Sequence, residues 1–349
     1  MKNLGSLTTT THKILEPQRN IEIIELLRIV AALAVMWFHF TNGNAGFLEP
    51  GILKLSGAYG YLGVEVFFVI SGFIIPYSMW RSHFRLKNHW LTFFKKRIAR
   101  LYPAYFLTII LIIFLWYLSA LVPGFRGEAP QILLKDVISH LFFLNSLLGR
   151  EWFNPVFWTL AIELQYYLVI VLIYAAISSP KLLIRFIAYC LLCLAALLFG
   201  NNAATFFHWS LFYCMGILAF QRFVLKIGLA EYFFILLLIF ALTGLKLGWL
   251  VAIVGAVTAV IITFAKIPKI SFITYLASIS YSLYLIHSPI GGRVINLSLR
   301  LGDDLFVKIL ALATASGISI LMATIMYQFV EKPTQKWSKE FLLPASGKS

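Results

Sequence analysis

Charged residues are scarce. Only 12% of the 349 residues are Asp, Glu, Lys or Arg, against roughly 25% in a soluble globular protein. That shortage excludes a soluble enzyme. With 60% hydrophobic residues and a mean hydropathy of +0.87, it defines an integral membrane protein. Acid is scarcer still: 14 Asp and Glu face 29 Lys and Arg, for a net charge of +15. The basic excess falls mainly in loops on one side of the expected topology, so it reads as the loop bias of a membrane protein and not as a nucleic-acid surface. Cysteine is nearly missing. Cys190, Cys193 and Cys214 lie inside apolar runs, so the Cys-x-x-Cys spacing of the first two is read as packing, with no disulfide framework and no metal site. Short strands of alternating polarity are absent. The apolar runs are near 20 residues long, the length of a spanning helix and not of a barrel strand.

What remains is a chain of such runs. They fall at about 21–42, 60–79, 102–121, 155–178, 182–199, 206–221, 228–245, 249–265, 272–290 and 305–330. The expected fold is an all-α bundle of about ten transmembrane helices. One interfacial or re-entrant helix is added within 131–148, where Lys135, Asp136 and His140 interrupt the apolar pattern. A polar tail is expected over 1–20, a transmembrane domain over 21–335 and a short tail over 336–349. No small-x-small pattern follows the first run, so it is read as an uncleaved span. With both termini in the cytoplasm, 20 Lys and Arg fall on the inner side and 8 on the outer, Arg28 lying within a span. That ratio supports the orientation.

The first run, EIIELLRIVAALAVMWFHF, carries Arg28 and His39. Eleven residues at about 100° each come within about 20° of three full turns, so the two share a helix face roughly 16 Å apart. An ionisable group inside a span is costly and suggests function. The bland reading has Arg28 snorkelling to the interface and paired with Glu25 one turn earlier. The topology gives depths to the other ionisable groups. His39, Glu65, Glu163 and His287 fall in one outer band, with Tyr281 and Tyr284 deeper. Arg28, Arg97 and Arg100 fall in an inner band. The segment 80–101 holds seven Lys or Arg and suits either an anionic leaflet or an anionic ligand. Arg97 and Arg100, at i and i+3, face the same way, and forked guanidinium groups fit phosphate. Trp152, Phe153, Trp158 and Trp209 read as an interfacial aromatic belt or as sugar-stacking rings.

These residues resemble the membrane-bound acyltransferase 3 family, the O-acyltransferases of cell-surface glycans. The resemblance covers about residues 20–335. It rests on Arg28-x10-His39, GVEVFFVISGF at 63–73, KKRIARLYP at 95–103, FWTLAIELQYYL at 157–168, SYSLYLIHSPI at 280–290 and YQFVEKP at 327–333. One departure is that Leu164 stands where the family usually has a second acid after the residue matching Glu163. Many members add an esterase-like C-terminal domain, and this chain is expected to be a stand-alone membrane member. The resemblance implies an O-acyltransferase of the plasma (inner) membrane. It would move an acyl group, acetyl foremost, from cytoplasmic acyl-coenzyme A (acyl-CoA) to a glycan or lipid-linked sugar. Arg28, Arg97 and Arg100 would hold the coenzyme. His39 would act as general base or transient acyl carrier, and Glu163 would orient it. Glu65, Ser71, Tyr281 and His287 would contact substrate. The competing expectation is a transporter or flippase with a buried proton relay. No inverted repeat or matching pair of broken spans supports it.

Overall fold

In lipid every backbone polar group must be satisfied within its own segment, so runs of this kind fold as helices. The computed structural model describes residues 21–122 and 131–340; the expected tail over 1–20 and the end of the expected C-terminal tail lie outside these. The described residues contain helices and no strand. In chain order the helices are α1 (Ile21–Asn42), α2 (Ile52–Gly57), α3 (Gly63–Arg81), α4 (Leu86–Ala120), α5 (Leu134–Leu141), α6 (Phe157–Ile177), α7 (Leu182–Phe199), α8 (Phe206–Phe220), α9 (Leu229–Leu247), α10 (Trp249–Phe264), α11 (Ser271–Ser298), α12 (Leu305–Met326) and α13 (Lys332–Glu340).

Each of the ten expected runs is one helix here. Seven helical segments, those holding α1, α3, α4, α6, α7, α9 and α12, are long and apolar enough to cross a bilayer. The protein is therefore an all-α, multi-pass membrane protein. The remaining three runs differ for physical reasons. α8 has 15 residues and α10 has 16, short of the roughly 20 needed for a full crossing. α11 is long at 28 residues, but Ser, Tyr and His dilute its apolar character.

One boundary differs from expectation. The basic segment 80–101 and the third apolar run form one 35-residue helix, α4. Pro103 sits inside it without ending it, since a proline in a membrane helix removes one N–H and neighbouring helices re-satisfy the freed carbonyl.

The apolar surfaces sort into lipid-facing and buried sides. On α7, Leu183, Leu191 and Leu198 are exposed, and the opposite face is buried. α8 is buried nearly all round, as a helix apolar on every side should be. Its backbone lies directly against α3: a Cβ on Gly72 would strike the Tyr213 carbonyl, and one on Gly216 would strike the Val69 carbonyl. Cys190 is exposed, Cys193 partly buried and Cys214 buried, all as free thiols.

Buried side chains form two core clusters. One is built mainly from α3 and α6–α10, the other from α1, α4, α6, α11 and α12. Val64, Leu164 and Tyr281 pack against both. Leu164 is thus a core residue at the seam between the clusters, which explains an apolar side chain there.

The segment after α4 is latched from outside the spans. The Tyr105 hydroxyl donates to the His140 carbonyl at 2.9 Å and the Tyr102 hydroxyl to the Leu141 carbonyl at 3.1 Å. Asp136 accepts from the Leu133 N–H at 3.1 Å, which caps α5, and pairs with Arg150 at 2.6 Å. The His140 ring donates from Nδ1 to the Asp136 carbonyl at 2.7 Å and accepts the Phe153 N–H at Nε2, 3.0 Å. The segment 131–148 thus holds one short helix, α5.

Candidate active site

The seam between the clusters holds a cavity of about 330 Å³. α1 contributes Arg28, α3 Ser71, α4 Arg97 and Arg100, α6 Thr159 and Glu163, and α11 Tyr281 and Tyr284. Six of the expected site residues are thus gathered on one wall system from five helices: Arg28, Ser71, Arg97, Arg100, Glu163 and Tyr281. A second cavity of about 340 Å³ opens at the α13 end and shares Arg28, Arg97 and Arg100 with the first. The three arginines therefore stand between an inner cavity and its mouth.

Their partners are informative. Glu25, the expected mate of Arg28, instead accepts a hydrogen bond from the Thr274 hydroxyl at 2.8 Å. The Arg97 guanidinium lies 5.3 Å from the centre of the Phe93 ring and 5.5 Å from that of Tyr167, which orients its fork. The Tyr167 hydroxyl donates to the Glu163 carboxylate one turn earlier. Among the described residues none of the three guanidinium groups forms an ion pair. Three unpaired cations around one opening make a site for an anion.

Other polar groups in this region are held in place. The Tyr281 hydroxyl donates to the Leu101 carbonyl at 2.9 Å. Thr159 gives its proton to the Val156 carbonyl, so the Tyr284 hydroxyl, 2.9 Å from Thr159, is the donor in that pair. At the mouth, Glu331 is buried and accepts from the Ser282 hydroxyl and the Gln335 amide, each at 2.8 Å. The YQFVEKP motif flagged this stretch, but the role of Glu331 as a fixed carboxylate beside the arginines was not legible in it.

His39 lies at the other end of α1. It lines a third cavity of about 730 Å³ with Asn44, Trp116, Ser288, Arg293 and Asn296. Its ring centre is 5.2 Å from that of His287, and His287 is 6.1 Å from Tyr284 on the inner cavity. A chain of rings thus connects the two ends. His287 donates from Nδ1 to the Leu283 carbonyl at 2.9 Å, and its Nε2 is buried without a hydrogen-bond partner. His39 has no hydrogen bond to its ring among the described residues, which leaves both nitrogens available.

Two expected neighbours are not brought together. Glu163 sits on the arginine cavity and His39 on the outer one, and no hydrogen bond joins them. Glu65 is buried in the first turn of α3 with Oε2 unpartnered, and it lines none of the three cavities. The aromatic residues read as a belt or as sugar-stacking rings pack on protein. Trp158 lies 5.1 Å from Trp209, and Phe153 stacks on His140 at 3.9 Å. Trp116, inside the third apolar run, is the tryptophan that reaches the outer cavity. Among the described residues no cluster of His, Cys, Asp or Glu is placed to hold a metal ion.

Residues 21–328 match the acyltransferase domain family, and the chain belongs to it. It is 26% identical over 362 aligned positions to the O-acetyltransferase OatA of Staphylococcus aureus, covering 89% of this chain and 56% of that protein. It is also 26% identical, over 181 positions, to the peptidoglycan O-acetyltransferase OatA of Listeria monocytogenes, covering 47% of this chain and 26% of that protein. The chain therefore spans only about half the length of the Staphylococcus relative. No solved structure matches.

Proposed function

We propose that this protein is a multi-pass O-acyltransferase of the plasma membrane, with both termini in the cytoplasm. It moves an acyl group, acetyl foremost, from cytoplasmic acyl-CoA to a hydroxyl of a glycan or lipid-linked sugar at the opposite face. The observation that carries this reading is the trio Arg28, Arg97 and Arg100, unpaired around the mouth of the inner cavity. Forked guanidinium groups suit the phosphates of a coenzyme, and the basic loops put this end in the cytoplasm. The thin pantetheine arm then runs along α1 over the roughly 16 Å from Arg28 to His39. The names of the relatives favour acetyl as the group moved and cell-wall glycan as the acceptor.

At the far end His39 acts as general base. An unpartnered ring nitrogen takes the proton of the acceptor hydroxyl as its oxygen attacks the thioester carbonyl carbon. The carbon–sulfur bond breaks, and His39 returns the proton to the departing thiolate. His287, held by the Leu283 carbonyl with its Nε2 unpartnered and its ring centre 5.2 Å from that of His39, favours the transient imidazolium. Glu163, fixed by Tyr167, serves the donor cavity, where it faces the arm below the arginines.

The test is transfer by purified protein. With acetyl-labelled acetyl-CoA and cell-wall glycan, label is expected in the glycan, with one free thiol released per acetyl moved. Folded protein that releases no thiol with any glycan would overturn the reading and favour transport.

A further inference from the structure

The outer cavity carries a cation that the transfer chemistry does not use. Arg293 was counted with the outer loops from the sequence, but it lies within α11, one turn beyond Pro289, on the wall shared with His39. Its setting is built by the proline. Pro289 has no N–H, so the Leu285 carbonyl is left open and takes the Asn154 amide at 2.7 Å. The Pro289 carbonyl in turn accepts from Arg293 Nη1 at 2.6 Å. That contact fixes one arm of the fork. Arg293 Nε is buried with no hydrogen-bond partner, a costly state for a donor. Among the described residues no Asp or Glu lines this cavity and Arg293 forms no ion pair.

The polar groups around it are aligned. Asn44 donates to the Asn296 side-chain oxygen at 2.8 Å, and its own oxygen takes the Gly46 N–H at 2.9 Å. The Asn296 amide is left as a donor. Trp116 lines the same cavity. Arg293 is half-buried and shares this open cavity with His39.

We propose that Arg293 binds an anionic group of the acceptor, and that the acceptor is therefore an anionic saccharide and not a neutral one. This deepens the acyl-transfer reading and rests on it. The anion is a carboxylate of the sugar or a phosphate of a lipid-linked sugar. Bound there, it would fix the sugar so that a hydroxyl lies at His39.

The test compares acceptors within one preparation, so that loss of folded protein cancels. Wild type and Arg293→Gln receive labelled acetyl-CoA with one of three probes: a muramyl oligosaccharide bearing its free lactyl carboxylate, its methyl amide, or a polyprenyl-diphosphate-linked disaccharide. Wild type is expected to favour one anionic probe over the amide by about tenfold or more, the scale of a charge-assisted hydrogen bond. The preferred probe names the source of the anion. Arg293→Gln is expected to lower that ratio to near one, and Arg293→Lys to restore part of it. Equal use of all three probes by wild type, or a ratio unchanged in Arg293→Gln, would overturn the proposal. Should wild type transfer to none of them, calorimetric binding of the free-acid saccharide still decides. Binding that Arg293→Gln abolishes would uphold the anion site and sink only the acyl-transfer reading. Equal or absent binding in both proteins would sink the site.

Discussion

Arg97 is the residue whose setting is most specific to its role. It is pinned between Phe93 and Tyr167 and faces two cavities without forming an ion pair among the described residues. Arg97→Ala is expected to raise KM for acetyl-CoA by about 10- to 150-fold, the loss of about 1.5–3 kcal/mol of charge-assisted bonding, with a smaller change in kcat. Arg97→Lys recovers little, because a lysine gives a point charge and not a fork. Steady-state kinetics over a range of donor concentrations check both. Arg28 and His39 were legible as a pair because helical spacing alone puts them on one face. Glu163 was expected in one depth band with His39, but it lines the cavity of the three arginines while His39 lines the one at the other end of α1. Which wall a side chain joins depends on which helices pack, and α6 presents Glu163 to α4 rather than to the outer end of α1. Arg293 was missed because α11 continues to Ser298, beyond the apolar run that marked its span.

At the scale of elements, the α3–α8 contact decides whether the inner cavity has a wall. Gly72 and Gly216 let the two backbones touch, as small residues do between membrane helices. Gly72→Leu is expected to lower the thermal midpoint in detergent and acyl transfer together, while Gly228→Ala, in open space, leaves both near wild type. Small residues such as Ser71 and Gly72 permit a close approach, but nothing in the sequence names α8 as the partner. The α5 latch carries a pH dependence. Burial holds the His140 imidazole below its ordinary value, against the opposing pull of Asp136, and Nε2 must stay bare to accept the Phe153 N–H. A histidine lowered in the folded state contributes no penalty above its unfolded value of about 6.5. Stability is lost as the pH falls from there towards the lowered value. Hydrogen exchange at the Phe153 amide, corrected for intrinsic rate, is expected to quicken below about pH 6.5. Unchanged protection down to pH 5 would contradict the latch.

The whole molecule is two core clusters with a polar seam. The donor cavity lies where they meet, and the His39 cavity lies at the far end of α1. An all-α membrane bundle followed directly from run length and charge scarcity, since the bilayer allows few other solutions. The seam did not, because α8 and α10 are too short, and α11 too polar, to advertise their places by hydropathy alone. The central claim is that one protein separates donor grip from chemistry along α1. The most direct measurement takes purified wild type and His39→Ala and determines both acetyl-CoA affinity and the rate of transfer to glycan. The expected result is donor affinity within about twofold of wild type and transfer slowed by about 10²- to 10⁴-fold, the contribution of a general base. Transfer by His39→Ala at the wild-type rate would contradict the account.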